Sequence, residues 1–221
     1  MTRFDPTQFP GDLGKIRHIL NLARAEINRQ DPDLALQLLT RVRVDVEKHE
    51  GTWVWVEHRL LIAQALSAKG NDGAEQFFER VLEEIPKLEG TQAETELVAN
   101  EHFGDFLVRH ARKPSKARDY YSRALEIALA LGLREDAARI RLRLTRINLE
   151  VDKDLLLADF KVLKRVGKQQ HYTCQEQLAA WELHTGECEE AGERLRFARE
   201  SDSAKEKYFA HLLGVVRAKT E

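Results

Sequence analysis

Two interlocking stripes of side chains between residues 91 and 131 constrain this chain more than anything else in it. Asn100, Phe103, Gly104 and Leu107 recur at helical spacing, with the glycine where a neighbouring helix has to come close. Across the turn Arg112-Lys113-Pro114-Ser115, the residues Ala117, Tyr121, Ala124 and Ala128 form a second stripe of small and large side chains. Small residues let two helix axes approach and large ones fill the space beside them, so the stretch predicts an antiparallel helix hairpin. Thr91 and Glu94 have the spacing of a capping box that opens its first arm.

Weaker copies of the hairpin recur on both sides. The periodicity starts near Leu13 with Ile16, Ile19, Leu20, Ala23 and Ile27, and Asp31-Pro32 then ends one helix and caps the next. Ala35, Leu39 and Val42 follow as a stripe, and Ala74, Phe78 and Val81 as another after the turn Gly70-Asn71-Asp72-Gly73. TWVWV at residues 52–56 has strand composition, but it runs without a turn into EHRLLIAQALSAK and is read as helix. Ile140, Leu144 and Ile147 are expected to face inward, Asp152 or Asp154 to cap the next helix, and Leu156, Phe160 and Leu163 to form its stripe. Ala191, Leu195 and Ala198 mark a fifth pair, and Ser203 to Lys219 reads as an unpaired closing helix. The first stripe residues, Ala35, Ala74, Ala117, Leu156 and Ala191, lie 39, 43, 39 and 35 residues apart.

The hairpin of residues 91–131 resembles the tetratricopeptide repeat, whose first helix carries a large residue, Leu-Gly and an aromatic, and whose second carries Ala, an aromatic and Ala. Asn100 stands where that family usually has Trp, and the intervals exceed its usual ~34 residues, in the manner of its long-repeat members. The resemblance implies an all-α protein, a right-handed α-solenoid of about five antiparallel helix pairs plus a C-terminal capping helix, eleven helices in all. The repeat domain is expected over residues 12–221, preceded by an extended arm, residues 1–11, whose Phe4 and Phe9 tuck against the first helices. The charged fraction of 33% is high for a compact globule and suits thin, two-layered units with much surface.

The resemblance also implies a mode of action. In this family the first helix of each pair lines a concave face, with polar positions three residues before and one after the glycine. Those positions fall on Arg59 and Ala63, Glu101 and Asp105, Arg141 and Thr145, and Glu176 and Ala180. Arg109 joins Glu101, His102 and Asp105 on one helix, where Asp105 and Arg109 have the spacing of an i,i+4 ion pair. Arg59, Glu101, Asp105, Arg109, Arg141 and Glu176 are therefore the candidate groove residues. The Lys and Asn pattern with which some members clamp a C-terminal carboxylate is missing.

Other chemistries find less support. The chain lacks the phosphate-binding, nucleophile-elbow, HExxH and CxxC signatures, so no catalytic residue and no cofactor is expected. His171, Cys174, His184 and Cys188 are metal-ligand types, but on one straight helix Cys174 and His184 lie roughly 15 Å apart along the axis. One zinc ion needs its ligands within about 2.3 Å, so no metal site is expected either. Lys161, Lys164, Arg165 and Lys168 form a basic stripe that continues Arg134, Arg139, Arg141, Arg143 and Arg146, but the net charge of -2 speaks against bulk nucleic-acid binding. Trp53 and Trp55 are about 200° apart on a helix, so one is expected in the core and the other at the surface.

The start MTRFDPTQFPGDLG has no apolar core and two cysteines make no disulfide framework, so the expected location is cytoplasmic and no membrane partner is expected. The function expected is a non-enzymatic adaptor, escort or regulatory subunit holding a peptide or helix of another protein. The alternatives are a sensor of a signalling peptide and a nucleic-acid-associated factor acting through residues 134–168. A groove filled by another part of the chain and a homo-oligomer both stay open.

Overall fold

A computed structural model describes residues 12–88, 93–147, 153–166 and 186–201, together with Ala179 and Glu182. The described residues are helical, with no strand among them. In order they form α1 (Asp12–Asn28), α2 (Pro32–Glu47), α3 (Trp53–Ala68), α4 (Gly73–Glu84) with a 3-10 turn (Ile85–Lys87), α5 (Ala93–Arg109), α6 (Pro114–Ala130), α7 (Arg134–Ile147), α8 (Lys153–Val166) and α9 (Cys188–Ser201). The N-terminal arm with Phe4 and Phe9, Thr91 of the capping box, Asp152, the closing helix at 203–219, and His171, Cys174 and His184 lie outside the described residues. The chain divides between Ile127 and Ala128 into two compact units.

In the first unit the hairpins follow from local chemistry. Asp31 accepts a hydrogen bond from the Leu34 amide at 3.0 Å and Pro32 takes the first helical position, so α2 starts where the sequence predicts. The turn into α3 is closed by Thr52, whose hydroxyl donates to the His49 carbonyl at 2.7 Å. α3 contacts α1, α2, α4 and α5, and eight of its side chains are buried, Trp55 and Ala65 among them. The stripes Ala35, Leu39, Val42 and Ala74, Phe78, Val81 are all buried. Phe78 stacks on Phe103 with ring centres 5.2 Å apart, and Phe103 meets Tyr120 at 4.4 Å, which ties α4 to α5 and α5 to α6.

Gly104 is buried against α6, where an added Cβ would lie 2.6 Å from Tyr121 Cε1. That is the close approach the sequence predicts there. Asn100, in the place of the family's usual Trp, turns its amide back onto its own helix and donates to the Glu96 carbonyl at 2.8 Å. Ion pairs join helices at the surface: Lys113 and Lys116 reach Glu75 at 2.9 and 3.1 Å, Lys116 also reaches Glu79 at 2.9 Å, and Arg123 reaches Glu96 at 2.9 Å. The bond to Glu79, ahead of that to Glu75, pushes the Lys116 ammonium up to about 12.

In the second unit α7 packs on α8. Ile140 is buried as expected, but Leu144 and Ile147 are only half-covered, because a second stripe, Ala138, Leu142 and Thr145, is buried as well. Asp154 lies in the first turn of α8 rather than ahead of it. Asp159 is buried and receives Arg141 Nε at 2.6 Å, a bond that raises the guanidinium pKa despite burial. Glu182 is fully buried and accepts from Arg194 Nε with both oxygens, at 2.7 and 2.9 Å. Ala191 and Leu195 are buried on α9. The side chains of Leu156, Phe160, Leu163 and Ala198 lie outside the described residues.

Candidate functional site

The first helices of three successive hairpins, α1, α3 and α5, leave a groove of about 270 Å³ between them. Leu60, Leu61 and Val98 give it an apolar floor, while Gln64, Glu94 and Thr95 give polar edges. Arg24 on α1 is ion-paired with Glu57 on α3 along one side. Trp53 stands at the start of α3 with 37% of its surface exposed, and the Arg17 guanidinium lies over its ring at 4.7 Å. Trp55 is 1% exposed. The two tryptophans thus divide between surface and core as their 200° separation requires.

None of the described candidate residues lines this groove. Arg59 faces the opposite side of α3, where it donates to Glu47 of α2 at 2.5 Å and lies 4.8 Å over the Trp55 ring. Ala63 is fully buried. The groove positions of α3 are Leu60 and Gln64, one residue further along each, which amounts to a rotation of about 100°. Glu101 is 4% exposed, and Asp105 accepts from the Tyr121 hydroxyl at 2.6 Å. Arg109, at the end of α5, stands exposed. In the second unit Arg141 is taken up by Asp159 and Thr145 is buried, its hydroxyl donating to the Arg141 carbonyl at 2.9 Å. Glu176 and Ala180 lie outside the described residues.

Glu57, Gln64 and Val98 line this groove without having been named among the candidate residues. For Gln64 the signal was the alternative phase of α3, in which Ala63 takes the place of the family's glycine and Leu60 and Gln64 fall three before and one after it; Glu57 and Val98 carried no such signal.

A second, larger cleft of about 360 Å³ opens on the other side of α3, lined by Glu47, Glu50, Trp55, Arg59, Gln76, Phe77 and Arg80. Burial pushes the Glu47 carboxyl up, but hydrogen bonds from Arg59 and the Trp55 indole outweigh it and hold the group below the usual carboxylate range. Inside the hairpin stack, His58 is fully buried with Nε2 3.0 Å from the Leu39 carbonyl. A carbonyl only accepts, so Nε2 carries the proton, and Nδ1 is left buried without a partner.

The basic stripe of residues 134–168 is partly consumed internally. Arg139 pairs with Asp136 at 2.5 Å and Arg141 with Asp159, while Lys161 is exposed. The side chains of Arg146, Lys164, Arg165 and Lys168 lie outside the described residues. Among the described residues no three His, Cys, Asp or Glu side chains gather as metal ligands, and no helix is long and apolar enough to cross a membrane.

Neither protein-family models nor curated proteins give a match to this sequence. Solved structures do. The chain is similar to a Podosopora anserina putative kinesin light chain with nearly identical TPR-like repeats, at TM-score 0.64 and 18% identity over 85% of this chain and 94% of that one. A singly substituted form of that same protein superposes at TM-score 0.60 and 17% identity, covering 87% and 97%. BtubC (BKLC) from P. vanneervenii superposes at TM-score 0.61 and 16% identity, covering 93% and 84%. At such identities the likeness speaks for the fold: the chain is an all-α, tetratricopeptide-type helical repeat.

Proposed function

We propose that the chain is a non-enzymatic interaction module that holds a peptide or helix of another protein in the groove between α1, α3 and α5. The observation that carries this reading is the groove itself, an apolar floor of Leu60, Leu61 and Val98 with polar edges and the exposed Trp53 at one end. An apolar side chain of a partner, flanked by polar ones, matches that cross-section. Burying one side chain of leucine size gives roughly 1.5–3 kcal/mol, and several along a helix make a specific contact. Tetratricopeptide-type folds serve chiefly as protein scaffolds, which agrees with this reading and with an adaptor, escort or regulatory subunit as the role. The cytoplasm is the proposed location, on the strength of two cysteines in 221 residues.

The test is a photo-reactive side chain at Gln64, with one at the 74%-exposed Val44 as control. Cross-linking to a defined protein from Gln64 alone, abolished by Thr95→Arg in a folded variant, supports the groove. Equal cross-linking from both positions, or no effect of Thr95→Arg, rejects it.

A further inference from the structure

We propose that the cleft between α2, α3 and α4 is a second, independent binding site, for a small monocarboxylic acid with an apolar body. Its volume of about 360 Å³ falls within the range of small-molecule sites, about 300–1,000 Å³. A single acidic side chain of a protein partner would leave most of that volume empty.

The donors are two guanidinium groups. Arg59 is only 16% exposed, and the hydrogen bond it makes to Glu47 uses one of its two terminal nitrogens. Arg80 reaches Glu50 only at 3.9 Å, too long for a hydrogen bond. Both forks therefore keep N–H groups that the cleft makes accessible. Both are also oriented by one rigid surface, since Arg59 lies 4.8 Å and Arg80 5.6 Å from the centre of the Trp55 ring. A carboxylate accepts two parallel N–H groups from such a fork.

The remaining walls set the rest of the ligand. Phe77, half-buried and 6.0 Å from the Arg59 guanidinium, offers a floor for an aromatic or branched body, and the Gln76 amide stands beside it. Within the lining two arginines, Arg59 and Arg80, face two glutamates, Glu47 and Glu50, while Arg43 approaches Glu47 at 3.8 Å from outside it. What the two guanidinium groups have to spare is N–H donors rather than net charge, and one carboxylate is enough to take them up. A phosphate dianion would meet the carboxylates of Glu47 and Glu50 without a compensating cation.

The full chain labelled with ¹⁵N is titrated with phenylacetate at low ionic strength, and the indole N–H signals are followed. Trp55 donates its indole N–H to Glu47 inside the cleft, and Trp53 lies outside it, so saturable movement of the Trp55 signal alone is expected. Neutral phenylacetamide and inorganic phosphate should move it far less. Arg80→Gln, a change at an exposed side chain, should weaken phenylacetate about tenfold with unchanged circular dichroism. An unmoved Trp55 signal, an equal response to phenylacetamide or phosphate, or full affinity in Arg80→Gln overturns the assignment. So does binding of an acidic peptide with no binding of the free acid.

Discussion

Gly104 and Tyr121 meet so closely that a methyl group on the glycine would stand 2.6 Å from the tyrosine ring. Tyr121 is held in place from its other end, because its hydroxyl donates to Asp105 at 2.6 Å. The ring cannot yield without giving up that bond, so the α5–α6 crossing depends on the absence of a side chain at 104.

Gly104→Ala is therefore expected to destabilise the protein by about 1–3 kcal/mol, the usual cost of forcing extra volume into a packed core. Urea denaturation followed by circular dichroism measures it. Gly104→Ala combined with Tyr121→Leu should recover part of the loss, since the obstructing ring is then gone. A midpoint for Gly104→Ala equal to wild type would show that the two helices separate freely.

His58 gives the fold a dependence on acidity. Burial lowers its pKa below the ordinary 6.5, the bond to the Leu39 carbonyl raises it, and burial prevails. The unfolded chain then binds a proton more readily than the folded one, so the stabilisation is complete above about 6.5 and is lost as pH falls below it. Denaturation midpoints between pH 7.5 and 5.5 should fall with pH. His58→Gln, less stable at neutral pH, should show a shallower slope. Equal slopes in the two proteins would remove His58 as the source.

Arg141 and Asp159 carry a prediction for the second unit. Their side chains are 18% and 4% exposed, so removing one partner leaves a charge enclosed. Asp159→Ala should cost about 3–5 kcal/mol, whereas Arg141→Met with Asp159→Leu should be close to neutral. Denaturation of the single and double variants measures both. A small cost for Asp159→Ala would mean that Arg141 swings out to water.

The hairpins were legible because they rest on short-range chemistry. The cap at Asp31, the proline at 32 and the alternation of small and large residues in α2, α4 and α6 each reveal their place within a few residues. The groove was not legible because the phase of α3 was ambiguous. That helix buries residues on nearly every side, Val54, Trp55, Val56, His58, Leu60, Leu61, Ala63 and Ala65, so no continuous polar face fixes its rotation. The expected positions Arg59 and Ala63 place Ile62 where the family has its glycine, whereas Leu60 and Gln64, which line the groove, would place Ala63 there. Pairs such as Arg59 with Glu47, or Arg24 with Glu57, were hidden for another reason: the partners are 12 and 33 residues apart and meet only once hairpins stack.

The enclosure of α3 by four neighbouring helices bears on how this chain can change over generations. Half of the sixteen positions of that helix are buried, and a substitution at one of them risks the whole first unit. Trp53, Glu57, Arg59 and Gln64 are among those that reach the two clefts instead. A deep mutational scan would accordingly draw α3 as a band of intolerance interrupted at such places, and selection for a new partner would work chiefly through them.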